Sequence, residues 1–200
     1  MFADLTQLVA HLVCNQGVGV LIEYGDDFVY SYCLAREEDM SPKFKECLLE
    51  VYHAEQTGEI IFESMVKYAK NSDESFIFGS MLQLETEAKA IMRPTLVKLG
   101  LPIEENPSSR EQGIQIGEAF KEMPYADLIQ NIEKSVQDIY LPQYQELETL
   151  VTEEDLECFQ LARFMGDHER ALLLAAQNIN NKVEDPMKPV TDMLRFPILI

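Results

Sequence analysis

The sequence predicts an all-α fold, a bundle of long antiparallel helices. Three observations carry that expectation. From residue 41 onward apolar residues recur at three- and four-residue spacing, the helical period, over four long stretches. Capping residues, glycines and prolines punctuate the chain between those stretches. An apolar content of 46% in 200 residues is enough for one continuous core, and no second domain is needed.

Residues 1–40 are expected to form an N-terminal helical extension packed on the bundle. Leu5, Leu8, Val9 and Leu12 keep helical spacing, while Gly17, Gly19 and Gly25 interrupt the pattern beyond them. The segment 18–22 has the composition of a strand, but nothing later in the chain offers it a partner. The bundle itself is assigned to residues 41–181. Ser41-Pro42 places a capping hydroxyl before a proline suited to a first helical turn, so a helix is expected over about 42–70. Asn71, Ser72 and Asp73 break and recap the chain, and the second helix stops at Leu99-Gly100-Leu101-Pro102 after a kink at Pro94. Residues 102–109 read as a loop, followed by a short helix over about 110–122. Pro124 then opens a third long helix that carries Pro142 within it. Thr152-Glu153-Glu154-Asp155 resembles a capping box, which predicts the fourth long helix over about 153–178, closed by Asn178, Asn180 and Asn181. Residues 182–200, with Pro186, Pro189 and Pro197, form a tail laid over the bundle.

Composition narrows the partners. With 35 acidic and 16 basic residues the formal charge is -19, which repels phosphate backbones and anionic headgroups. Neither nucleic acid nor a membrane is expected as a partner; a small-molecule substrate or ligand and a homodimer are both left open. Cys14, Cys33, Cys47 and Cys158 contain no C-x-x-C pair, so the thiols are read as reduced and partly buried. No basic leader and no apolar run of about 20 residues is present, and a cytoplasmic location is the expectation.

Each residue advances a helix by about 100°, so positions three, four and seven apart share a face. On the first long helix that face runs through Leu48, Val51, Tyr52, Phe62 and Met65, with Glu55, Gly58 and Glu59 at its centre. On the second, Met81, Leu84, Ala88 and Met92 flank Glu85, while Glu87 points away. The third places Glu133 among Ile129, Ile132, Val136 and Tyr140. The fourth places His168 in register with Leu161, Met165, Leu172 and Ala175, with Glu169 beside it. An unpaired carboxylate in a dry core costs several kcal/mol, so inward glutamates must bind a cation, pair with a base or reach water. Carboxylates that offset metal charge, with imidazole completing the coordination, are the donor set of iron or manganese centres in helical bundles. The residues do not exclude the alternatives. His168 also fits as a core histidine bonded to a glutamate or tyrosine, and the glutamates also fit salt bridges to Lys89, Arg93, Arg163 or Arg170. Tyr52, Tyr140 and Tyr144 read as core or rim aromatics.

The run Tyr52-His53-Ala54-Glu55-Gln56-Thr57-Gly58-Glu59 resembles the first ligand helix of the ferritin-like carboxylate proteins, including the demethoxyubiquinone hydroxylase branch. Residues 84–89 resemble the second ligand helix without its histidine, and residues 164–172 the last, with His168-Glu169 kept. The resemblance covers roughly residues 42–180. It implies a ferritin-like four-helix bundle with extra N-terminal helices and a short crossover helix. It also implies Glu55, Glu85 and His168 as iron or manganese ligands, with Glu59 and Glu169 as further candidates; Glu133 joins them from the stripe on the third helix. Where that family carries Glu-x-x-His on two helices, this chain has Ala88 after Glu85 and Met165 before His168; its one Glu-x-x-His, Glu50 to His53, lies off the stripe.

The leading functional expectation is a metal-dependent oxidoreductase, an oxidase or oxygenase of the diiron type. A non-enzymatic bundle that has lost its metal and acts in protein association is the alternative, and a heme-oxygenase-like helical protein a further one. Neither a G-x-S-x-G elbow nor a phosphate-cradling loop occurs in the sequence.

Overall fold

The computed structural model describes residues 40–196. The chain divides into two units, Met1–Asp39 and Met40–Ile200, and every described element belongs to the second. The expectations for residues 1–40, including the strand-like segment 18–22 and Cys14 and Cys33, lie outside the described residues, apart from Met40. Every regular element among the described residues is a helix, with no strand among them. No helix among them is long and apolar enough to cross a membrane.

Helix α1 (Pro42–Tyr68) starts where Ser41 Oγ accepts the Phe44 amide, at 3.1 Å, with Pro42 in the first turn. This is the arrangement expected of a capping hydroxyl before a proline that has no amide to satisfy. Helix α2 (Ser72–Lys98) is capped by Asn71, whose Oδ1 accepts the Glu74 amide at 2.9 Å, and it continues through Pro94. The short connection makes α1 and α2 antiparallel neighbours.

Helix α3 (Pro107–Phe120) begins earlier than about 110, the start expected from the sequence. Asn106 Oδ1 accepts the Ser108 amide, and Pro107 fills the first turn, so Asn-Pro is a helix start rather than loop. Helix α3 lies close against α1. A Cβ on Gly113 would come within 2.7 Å of the Ile60 Cβ, and one on Gly117 within 2.5 Å of the Ser64 Cβ. Two glycines one turn apart therefore permit an approach that side chains would block. The loop before α3 is tied to α1 by the Tyr52 hydroxyl, which donates to the Ile103 carbonyl at 2.9 Å, and by Gln56, which donates to Glu104 O and accepts from the Asn106 amide.

The third long segment is not one regular helix. It consists of α4 (Tyr125–Ser135), a π turn over Val136–Tyr140 and α5 (Leu141–Thr149). Pro142 gives the physical reason. Its ring has no amide and would press on the carbonyl four residues back, and widening the preceding turn to the five-residue spacing relieves that contact. The Leu141 amide accordingly donates to Val136 O.

Helix α6 (Leu156–Asn180) starts at Asp155, whose Oδ1 accepts the Cys158 amide at 3.2 Å. The expected capping box over 152–155 is corrected: its aspartate is itself the cap, and the three residues before it form a turn. The tail carries a short helix, α7 (Lys188–Thr191), and buries Met187, Val190 and Leu194 against the core. Its end is clasped by Glu87, whose carboxylate accepts the amides of Arg195 and Phe196. Glu87 points outward from α2, as its place on the helix face predicts.

The four long segments enclose an apolar interior that falls into two clusters. One holds Phe62, Phe78, Met81, Ile129, Leu172 and the tail residues; the other holds Phe44, Leu48, Met92, Leu96, Tyr144 and Met165. Between the two clusters, the chain supplies Glu55 on α1, Glu85 on α2, the π turn on the third segment, and His168 and Glu169 on α6. A polar layer therefore cuts the hydrophobic core across its middle.

Candidate metal centre

Glu55, Glu85 and His168 each bring one ligand atom to within 4.8 Å of the other two. Three different helices supply them, and all three residues are buried, Glu55 and His168 completely. Glu169, the neighbour of His168, is buried too, at 4% exposure. Tyr144 on α5 completes the layer from the fourth side: its hydroxyl donates to Glu55 Oε1 at 2.5 Å, and its ring stacks on the His168 ring at a 9° interplanar angle.

Gly58 sets the distance between α1 and the Glu85 carboxyl. A Cβ there would lie 2.7 Å from Glu85 Oε2 and 2.8 Å from its carboxyl carbon, so any larger residue displaces the acid. Glycine in a helix interior costs about 1 kcal/mol relative to alanine, and the close approach of an acid is what it permits here.

These polar groups lack ordinary partners. Glu55 Oε2, both ring nitrogens of His168 and Glu169 Oε2 are buried with no hydrogen-bond partner among the described residues. His168 Nε2 and Glu55 Oε2 stand 3.4 Å apart, but without the alignment of a hydrogen bond. Each such orphaned group costs about 1–3 kcal/mol, and several in one layer is far from the usual economy of a folded interior. Burial, reinforced by the charges of Glu55 and Glu169 and by a hydrogen bond shared with the Glu55 carboxyl, raises the Glu85 carboxyl well above the usual carboxylate range. Burial and the Glu55 charge do the same to Glu169. Burial lowers His168, against the opposing pull of Glu55, which leaves the imidazole neutral with a free lone pair. Tyr144 is raised well above its ordinary value by burial and by the acids around it, so its hydroxyl stays a donor.

The donor set fits a divalent cation. Carboxylate oxygens and one neutral imidazole nitrogen converge without a lysine or arginine among them, and the orphaned atoms are those that coordination would satisfy.

The remaining residues expected from the sequence are engaged elsewhere. Glu59 faces the flank between α1 and α2, where Lys89 Nζ forms an ion pair with its Oε2 and the Thr86 hydroxyl donates to its Oε1 at 2.7 Å. Glu133 accepts from Asn180 Nδ2 at 2.5 Å near the end of α6, away from the three-residue group. His53, on the Glu50-x-x-His53 pair, contacts Asn106 instead. Arg170 binds Glu148 and Asp167, and Arg93 reaches the Tyr52 hydroxyl. Tyr144 and Gly58 are the contributors whose roles the sequence did not reveal. Pro142 was the available signal for Tyr144, because a π turn before it rotates everything downstream by about one residue's worth of helix.

An apolar cavity of about 90 Å³ adjoins the layer. Glu85, Glu169, Tyr140 and Tyr144 form its polar side, and Phe62, Ile132, Val136 and Leu172 are among its apolar walls. The two remaining described thiols, Cys47 and Cys158, are buried in the opposite core cluster and pushed up to about 11 and about 12 by desolvation, so they stay protonated.

In comparisons with known proteins, no family model, no curated protein and no solved structure matches the chain.

Proposed function

We propose that this protein is a ferritin-like oxidoreductase that holds iron or manganese in the polar layer of its bundle, with Glu55, Glu85 and His168 as ligands and Glu169 as the adjacent fourth donor. The observation that carries the reading is the orphaned set: four buried polar atoms on Glu55, His168 and Glu169 share one layer with no protein partner to satisfy them. A bundle that had lost its metal would be expected to replace such groups by apolar residues, since that substitution is often neutral or stabilising.

When bound, iron or manganese supplies redox and dioxygen-activating chemistry of a kind no side chain here offers. The chain's own residues do the rest. Tyr144 donates to Glu55 Oε1 and so fixes which of the two oxygens faces His168. The Tyr144 ring lies parallel to the imidazole, with ring centroids 6.2 Å apart. Gly58 leaves room for the Glu85 carboxyl, and the apolar clusters on either side exclude bulk water. One imidazole and three carboxyl groups suffice for one ion. The cavity of about 90 Å³ is much smaller than the several hundred Å³ typical of cofactor pockets, which argues against a porphyrin in this unit.

Elemental analysis of protein purified without a histidine tag, after anaerobic reconstitution with Fe(II) or Mn(II), tests the reading. About one tightly held ion per chain is expected. Less than roughly a tenth of an equivalent would sink it.

A further inference from the structure

The cavity beside the polar layer is built asymmetrically. Its polar lining comes from Glu85, Glu169, Ser135, Tyr140 and Tyr144, and Glu169 Oε2 is buried without a hydrogen-bond partner among the described residues. Its walls come from Phe62 and Met65 on α1, Ile132 and Val136 ahead of and within the π turn, and Leu172 on α6. Ile116 and Phe120 of α3, together with Ser135 and Tyr140, line it while half-buried themselves, so the cavity is not sealed.

We infer that this cavity is a binding site for the uncharged alkyl end of a small molecule, seated with its tip against the carboxyl groups of Glu85 and Glu169. The inference deepens the metal-centre reading, on which it rests for any reaction though not for binding. Size, polarity and charge each support it. An apolar cavity of about 150 Å³ holds benzene, so 90 Å³ takes roughly three or four carbon atoms, and the open side lets the rest of a longer molecule extend outward. Water is the rival occupant and finds partners beside Glu85 and Glu169, but against Phe62, Met65 or Leu172 it finds none, and buried waters need two to four. A charged head would have to give up its water among Phe62, Ile132, Val136 and Leu172, which costs far more than burying an alkyl tip there. The π turn contributes to the shape, since Val136 and Tyr140, its first and last residues, both line the cavity.

The test uses the full chain, metal-free, with labelled methyl groups, and three four-carbon probes that differ in their head: n-butane, butylamine and butyrate. Saturable shifts of the Ile132, Leu172 and Met65 methyl signals with n-butane are expected, and weaker binding of both charged probes. Ser135→Phe and Ala54→Phe fill the cavity from two sides, and whichever folds should weaken n-butane binding at least tenfold. Absence of saturable shifts in the parent protein overturns the inference, as does unchanged affinity in a folded filled variant or tighter binding of butylamine or butyrate than of n-butane. Failure of the metal reading shows separately: reconstituted protein without metal that still binds n-butane refutes the centre and keeps the cavity, and the reverse pattern does the opposite.

Discussion

Glu59 and Lys89 lie four residues beyond Glu55 and Glu85 on the same two helices, yet the two pairs deal with burial in opposite ways. Lys89 is buried to 4% exposure and its ammonium meets the Glu59 carboxylate directly, while Thr86 donates to the other oxygen. The acid there has its counter-charge and its hydrogen bonds from the protein. Glu55 and Glu85 face each other and His168 with no basic side chain in the group. A buried acid pair without a cation is costly, and the surrounding chain has arranged for it: Gly58 makes space and Tyr144 donates. An inward glutamate thus becomes a candidate ligand through what the opposite helix lacks, rather than through its own position.

The severest challenge to that contrast is to remove the unpaired side. Glu85→Ala with His168→Ala should lower iron or manganese affinity by more than about a hundredfold, measured by elemental analysis after dialysis. The metal-free melting temperature should stay or rise, because two poorly satisfied buried groups are gone. If melting collapses instead, those groups are structural.

Removing the cation from the paired side should act on stability alone. Lys89→Met strands the Glu59 carboxylate and should cost about 2 kcal/mol in a denaturant titration, less than the 3–5 kcal/mol typical of a broken buried pair, because Glu59 keeps 20% of its side chain exposed. Adding Glu59→Leu to Lys89→Met should recover most of that loss, with bound metal unchanged throughout.

Gly58→Ala separates fold from site within one residue. Alanine favours the helix by about 1 kcal/mol, yet its Cβ displaces the Glu85 carboxyl. Metal-free protein should therefore melt at the same temperature or slightly higher while metal affinity drops about tenfold, roughly 1.4 kcal/mol. Tyr144→Phe should have the smallest effect. It removes one hydroxyl donor from Glu55 and keeps the ring on His168, so a loss of about 1 kcal/mol in metal binding, near fivefold, is expected by competition with a chelating dye.

Much of the fold was legible in short sequence signals. Ser41 and Asn71 act as caps, because a side-chain oxygen at a helix start has few other uses, whereas the last helix is capped by Asp155 and not from Thr152 as the capping-box pattern suggested. Helical stripes brought Glu55, Glu85 and His168 to light, since a polar residue in an apolar stripe must have a reason. The same stripes were less selective for Glu59 and Glu133. Angular position on one helix does not say which neighbour faces it, and Lys89 and Asn180 stand on other helices. The third segment defeated the stripe method more thoroughly. A fixed 100° step runs Glu133 and Tyr144 together as one regular helix, but the π turn inserts an extra residue between them and leaves Tyr144, not Glu133, on the layer.

The polar layer also bears on how the unit opens. Side-chain packing forms two separate apolar bodies, and the helices threading both are joined at mid-height by acids, an imidazole and a phenol. Without a cation, the half containing Phe44 and Leu96 and the half containing Phe78 and Ala175 are each free to open on their own, and their amides should exchange with solvent as two groups with distinct opening energies. An ion gripping three helices at once would rivet the halves together, so that protection against exchange rises in both and the two groups merge into a single cooperative opening.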